Sequence, residues 1–115
     1  MSEYFDNWTV QVRKGLLDFC VLNALADEEC YGYDLVNALA ERFGLGVAEG
    51  TLYPLLSRLR LQGLVSTRLE ESSEGPARKY YALTPTGRET LRLMRHYMAA
   101  LQKGTLERTR KTNRP

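Results

Sequence analysis

Apolar residues near the start of the chain return at steps of three and four. Phe5, Trp8, Val12, Leu16 and Phe19 trace one stripe, and Leu17, Val21 and Leu25 trace a second. This spacing predicts a helix that ends in the polar run Asp27-Glu28-Glu29, with Gly15 as a weak point midway. A helix apolar on two sides needs two partners, one within its own fold and one elsewhere. Leu35, Val36, Leu39 and Phe43 predict a second helix from Tyr31 to Phe43, closed by a left-handed Gly44. After the short turn Leu45-Gly46-Val47, a third helix is expected from Ala48 to Gln62, with Gly63 closing it. At about 100° per residue, Leu52, Leu55, Leu56 and Leu59 cluster on one side of that helix. The opposite side carries Gly50, Thr51, Tyr53, Pro54, Ser57, Arg58 and Arg60, together with Leu61, whose outward position the pattern does not explain. Pro54 comes early enough that its missing N–H calls only for a local distortion.

The period then shortens to two. Leu64 to Glu70 and Lys79 to Leu83 read as strands flanking the turn-rich link Glu71 to Ala77, which predicts a two-stranded hairpin. A lone hairpin is barely stable, so it must pack on the helices. Thr84 and Pro85 suit the N-cap and first position of a new helix. Leu91, Met94, Met98 and Leu101 then form a narrow seam of the kind that pairs with another helix, and are assigned to a dimer interface. The expected architecture is mainly α with a small β-hairpin. A winged helix-turn-helix domain occupies 1–83, with its first helix also in the dimer interface. A C-terminal dimerisation helix covers 84–104, and 105–115 is a basic, frayed tail.

Composition bounds the functions open to this fold. The chain has 115 residues, 43% apolar and 26% charged, enough for one compact domain with a small core that a second subunit could enlarge. Its formal charge of +2 is modest, so binding to a polyanion requires cations gathered on one surface. Cys20 and Cys30 stand ten apart without a CxxC pair, and His96 is the lone imidazole. This predicts buried free thiols, an exposed histidine, and neither metal nor cofactor. The start of the chain lacks a signal-peptide pattern, and no apolar run approaches a membrane span, so a cytoplasmic protein without membrane contact is expected. No nucleophile–base pairing or phosphate-cradling loop is evident, and catalysis is not expected.

The order helix, helix, turn, helix, hairpin is that of a winged helix-turn-helix, whose third helix usually reads the major groove of double-stranded DNA. The residue types suit that role. Gly50 and Thr51 let the helix start approach a phosphate closely. Tyr53 and Ser57 can hydrogen-bond phosphates or base edges, and Arg58 can take a guanine bidentately. Arg78 and Lys79 on the returning strand could clamp phosphate beside the groove.

Several motifs in order resemble the PadR family of bacterial transcriptional regulators. They are Tyr31-Gly32-Tyr33-Asp34-Leu35, Gly50-Thr51-Leu52-Tyr53-Pro54-Leu55-Leu56, Arg58-Leu59 and Gly63-Leu64. Gly75-Pro76, Arg78-Lys79-Tyr80-Tyr81, Leu83-Thr84 and Gly87 continue the likeness, which covers nearly everything from Gly15 to Gly87. The resemblance implies a homodimeric repressor of a nearby operon, relieved by a small ligand, with one C-terminal helix for dimerisation. Three departures stand out. Ala48 replaces a frequent capping Ser, Arg60 replaces a commonly acidic residue, and Glu70, Glu71 and Glu74 make the wing tip acidic.

Alternatives stay open at several positions. Tyr53 and Tyr33 fit either packing or DNA contact. Phe5, Trp8, Val12, Met94, Tyr97 and Met98 fit either plain dimer packing or a cavity for a flat aromatic or drug-like effector. Met98 stands where drug-binding relatives place a stacking aromatic on the last helix, with Tyr97 adjacent. The same outer helix face could instead dock a partner protein, making the chain a protein-interaction module.

Overall fold

The structure is a computed structural model that describes residues 2–112, with side chains described through Leu106. Its elements are α1 (Glu3–Asp27), β1 (Cys30–Tyr31), α2 (Gly32–Phe43), α3 (Glu49–Leu61), β2 (Val65–Ser72), β3 (Gly75–Leu83) and α4 (Pro85–Thr112). The helix boundaries follow local chemistry. The Ser2 hydroxyl accepts the Phe5 N–H and starts α1. Gly44, at φ +67°, ends α2 by donating to the Ala40 carbonyl while the Leu45 N–H reaches back to Leu39. Gly63, at φ +78°, plays the same part after α3, with the Leu64 N–H returning to Leu59.

The sheet has three antiparallel strands in the order β1-β3-β2, which corrects the expected two-stranded hairpin. Cys30 pairs with Tyr81 and Tyr31 with Tyr80. Two residues are too few to show a period of their own, so β1 exists only because β3 offers it an edge. The hairpin is also longer than expected. A two-residue turn at Ser73-Glu74 lets Ser72 pair with Gly75, so most of the supposed link is strand, with an irregularity between Glu70 and Ser72.

Seven side chains with almost no exposure, Val21, Leu22, Leu25, Leu35, Leu39, Leu52 and Leu56, join α1, α2 and α3 into one core. Tyr81 and Leu83 close it from the sheet and Leu91 from α4. Leu91 is only 3% exposed, so its assignment to a dimer interface is corrected. It is the first apolar residue of the seam, close enough to the sheet and α1 to be consumed by its own fold. Met94 is partly buried against the same core, and the seam leaves the protomer's own packing only beyond it.

α4 runs through Gly104 to Thr112, past the end expected at 104. One glycine weakens a helix but does not stop it, and no proline follows before Pro115. Residues 113–115 of the predicted tail lie outside the described residues.

The junction into α4 is tight. The Thr84 hydroxyl donates to the Gly63 carbonyl at 2.6 Å and accepts the Gly87 N–H at 2.9 Å. A Cβ on Gly87 would clash with the Leu64 carbonyl oxygen and stand 3.0 Å from its carbon and 3.2 Å from Leu83 Cδ2. That carbonyl already accepts the Thr84 N–H and cannot swing away. Gly→Ala within a helix usually gains up to about 1 kcal/mol. Here the sign reverses: Gly87→Ala is expected to destabilise by about 1–3 kcal/mol in urea unfolding.

Candidate nucleic-acid interface

The outer face of α3 is built from what its apolar stripe leaves behind. Leu52, Leu55, Leu56 and Leu59 are buried, and Gly50, Thr51, Tyr53, Pro54, Ser57, Arg58 and Arg60 are all exposed. Ala48 caps the helix without a side-chain bond, and the Thr51 and Leu52 N–H groups both turn back to its carbonyl at 3.0 Å. A Cβ on Gly50 would meet nothing within 4 Å, so the start of the helix is open to a close visitor. Glu49 sits in the first turn, where it satisfies the helix dipole and opposes an approaching anion. Pro54 lies inside the helix and removes the N–H that would otherwise reach the Gly50 carbonyl, yet the helix continues.

Tyr53 has two roles at once. Its ring lies over Gly32, with Cε1 and Cζ 2.7 Å from where a Cβ would stand there, so only glycine leaves it room. The ring is still 39% exposed. Burial first, and then the Glu49 carboxylate, raise its phenol pKa, so the hydroxyl keeps its proton as a donor. The two halves of the Tyr31-Gly32-Tyr33 and Leu52-Tyr53-Pro54 motifs are thus one packing unit.

The two arginines leave opposite flanks of α3. Arg58 turns towards α1, 3.8 Å from Asp18, a loose and solvent-exposed ion pair. Arg60 lies on the other flank, towards the wing; burial pushes the Tyr81 phenol pKa up, and the Arg60 charge opposes that rise. Ser57 and Pro54 stand between them on the helical wheel. Leu61 follows on the same outward line and is 77% exposed.

Strand alternation separates Arg78 from Lys79. Lys79 shares the face of Tyr81 and Leu83 that continues from the core past α3. Arg78 shares the opposite face with Tyr80 and stands 4.8 Å over the Tyr31 ring. Tyr31 in turn stacks against Tyr33 at 6.5 Å and meets Tyr80 edge-on at 5.7 Å. Sequence reasoning missed Arg68, which lies 4.7 Å over Tyr80 and forms a forked hydrogen bond to Glu29. That bond holds the Glu29 carboxyl below its ordinary pKa. The signal lay in the register alone, because Glu29 and Arg68 are far apart in sequence.

A second feature lies between α1 and α4. An open apolar cleft of about 740 Å³ is lined by Trp8, Val12, Phe19, Met94, Tyr97 and Met98, with Leu16, Leu93 and Leu101 beside them. Asp18 is its one charged lining residue. Phe5 is outside the cleft and stacks on Trp8 at 6.1 Å. Trp8 is 53% and Tyr97 69% exposed. Cys20 and Cys30 are buried free thiols, with burial raising the pKa of both. Among the described residues no acidic, cysteine and histidine side chains gather as a metal site, and no helix is long and apolar enough to cross a membrane.

A three-stranded wing beside an exposed third helix defines a winged helix-turn-helix protein. The PadR-like transcriptional regulator model matches residues 21–93. The chain belongs to that family, and it is a transcriptional regulator rather than an enzyme. It is 41% identical over 71 residues to a transcriptional regulator of Mycobacterium tuberculosis, a match covering 62% of this chain and 64% of the relative. A PadR family transcriptional regulator from Eggerthella lenta superposes with a TM-score of 0.81 at 33% identity, covering 91% of each chain. Bacillus subtilis PadR, solved in complex with operator DNA, superposes with a TM-score of 0.62 at 26% identity, covering 67% of this chain and 44% of that one.

Proposed function

We propose that this protein is a sequence-specific DNA-binding repressor that acts as a homodimer on a pseudo-palindromic operator and is released by a small apolar effector. The observation that carries this reading is the outer face of α3. Its residues are exposed, with Tyr53 partly enclosed against Gly32; it has no bulk at its start and carries two arginines near its end. Gly50 and Thr51 admit a phosphate, Tyr53 and Ser57 offer hydroxyls, and Arg58 and Arg60 supply cations on either flank. Lys79 extends the contact from the wing, and Tyr33 with Arg78 forms a separate aromatic and basic patch behind it. The family relationship and the operator-bound relative support the same reading.

The homodimer is argued from the apolar surface of α1 and α4. Phe5, Trp8, Leu93, Tyr97 and Leu101 are each at least half exposed, and an exposed apolar face of this kind marks an interaction surface. A second copy of α4 laid along Met94, Met98 and Leu101 covers that surface and turns the open cleft into an enclosed one. A flat aromatic molecule fits its Trp, Tyr and Met lining. Such a ligand weakens DNA binding only by preferring a subunit separation that the operator does not accept.

Selection of bound sequences from a random duplex pool tests this directly. Two half-sites with centres about 34 Å apart are expected, one helical turn along the duplex. Recovery of no preferred sequence would instead indicate a module whose α3 docks a partner protein. Trp8→Ala is expected to weaken binding of a planar aromatic dye, read by fluorescence; unchanged affinity removes Trp8 from the effector site.

A further inference from the structure

Five of the nine arginines whose side chains are described are hydrogen-bonded to groups other than those facing the outer side of α3. Arg42 pairs with Asp27, Arg68 with Glu29 and Arg92 with Glu89. Arg95 donates to the Asn23 side chain and Arg88 to the Ala26 carbonyl. Among the described residues Arg78 has only the Tyr31 ring beneath it, and Arg13, Lys14, Arg60 and Lys79 have neither a carboxylate partner nor a ring contact. These four cations are not scattered. Arg60 and Lys79 lie on the wing side of α3. Arg13 and Lys14 lie on the other side, across a shallow groove from Ala48 and Thr51 at the start of α3.

We infer that Arg13 and Lys14 of α1 form a second phosphate clamp, gripping the DNA backbone on the flank of the recognition helix opposite the wing. This rests on the reading of α3 as the element that enters the major groove. A helix seated there has a phosphate backbone on each side, and the start of α3 is the part that reaches deepest. Arg13 and Lys14 are exposed beside that start, with long flexible stems and no carboxylate paired to either, so engaging a phosphate breaks no existing ion pair. With a net charge of only +2, the placement of each unpaired cation counts.

The placement also joins two activities in one helix. At about 100° per residue, Arg13 and Lys14 lie opposite Trp8, Val12 and Phe19 on α1. One face of α1 lines the cleft and the other meets the backbone, so a tilt of α1 by a cleft ligand displaces the clamp directly.

The test is the salt dependence of operator binding by the full chain, using a duplex selected as above. Each phosphate neutralised adds about 0.9 to the slope of log affinity against log salt concentration. The double variant Arg13→Gln/Lys14→Gln removes four cations per dimer, so its slope is expected to be shallower by about 3–4. Its ranking of operator variants should stay unchanged, because backbone contacts carry no sequence information. The charge-keeping variant Arg13→Lys/Lys14→Arg should retain the original slope. If the wild type binds its operator and the Gln variant has the same slope, the clamp is excluded while the reading of α3 stands. If the charge-keeping variant also loses slope, the two residues act structurally and the clamp is again excluded. If the wild type selects no duplex, the reading of α3 falls and takes the clamp with it.

Discussion

Gly50→Glu is expected to reduce operator affinity by at least about 100-fold while leaving the melting temperature unchanged or slightly higher. The site itself offers no steric objection, since a side chain there projects into open space. A second carboxylate in the first turn, after Glu49, is favourable to the helix by about 0.3–1 kcal/mol. Loss of a helical glycine adds up to about 1 kcal/mol more. Against this, a fixed negative charge where a phosphate or base edge must approach costs several kcal/mol. Fluorescence anisotropy with the operator and a thermal melt on the same sample read both effects. Gly50→Gln separates bulk from charge. Retention of full affinity by Gly50→Glu would mean that the start of α3 does not face the duplex.

The second large effect concerns stability. Leu56→Ala should cost about 2–5 kcal/mol, because Leu56 has no exposed surface and belongs to a core shared by four helices and the sheet. Leu61→Ala, on the same helix, should change stability by no more than about 0.5 kcal/mol. The two leucines are five residues apart and so fall on nearly opposite faces. Chemical denaturation of both variants tests the phase of α3 itself. A large loss at Leu61 would place the outer face in a packed environment and remove it as a contact surface.

Particular residues show how far the sequence could be read. The periodic leucines were enough for α1, α2, α3 and α4, and local chemistry marked their ends at Gly44, Gly63 and Thr84. These signals are short in range, which is why they survive without knowledge of the fold. The seam along α4 was read too broadly. Leu91 shares its spacing with Met94, Met98 and Leu101, yet only packing distance decides which of them the protomer keeps for itself. The pairing of β1 with β3 left no trace in any periodic window. Arg78 and Lys79 were read as one clamp, although strand geometry sends them to opposite faces. Arg13 and Lys14 drew no notice because they lie on a helix whose visible signal is apolar.

By itself the sequence determined the helical phase, meaning which side of α3 is buried and which is exposed, and the helix ends marked by Gly44, Gly63 and Thr84, but not the far end of α4. That follows from repeats and caps that act within a few residues. Only the tertiary structure decided which distant groups meet, as when Tyr53 settles on Gly32, Arg58 turns to Asp18, and Arg13 with Lys14 comes to flank the start of α3. Such meetings depend on how whole elements cross, and the spacing of residues within one element does not encode that.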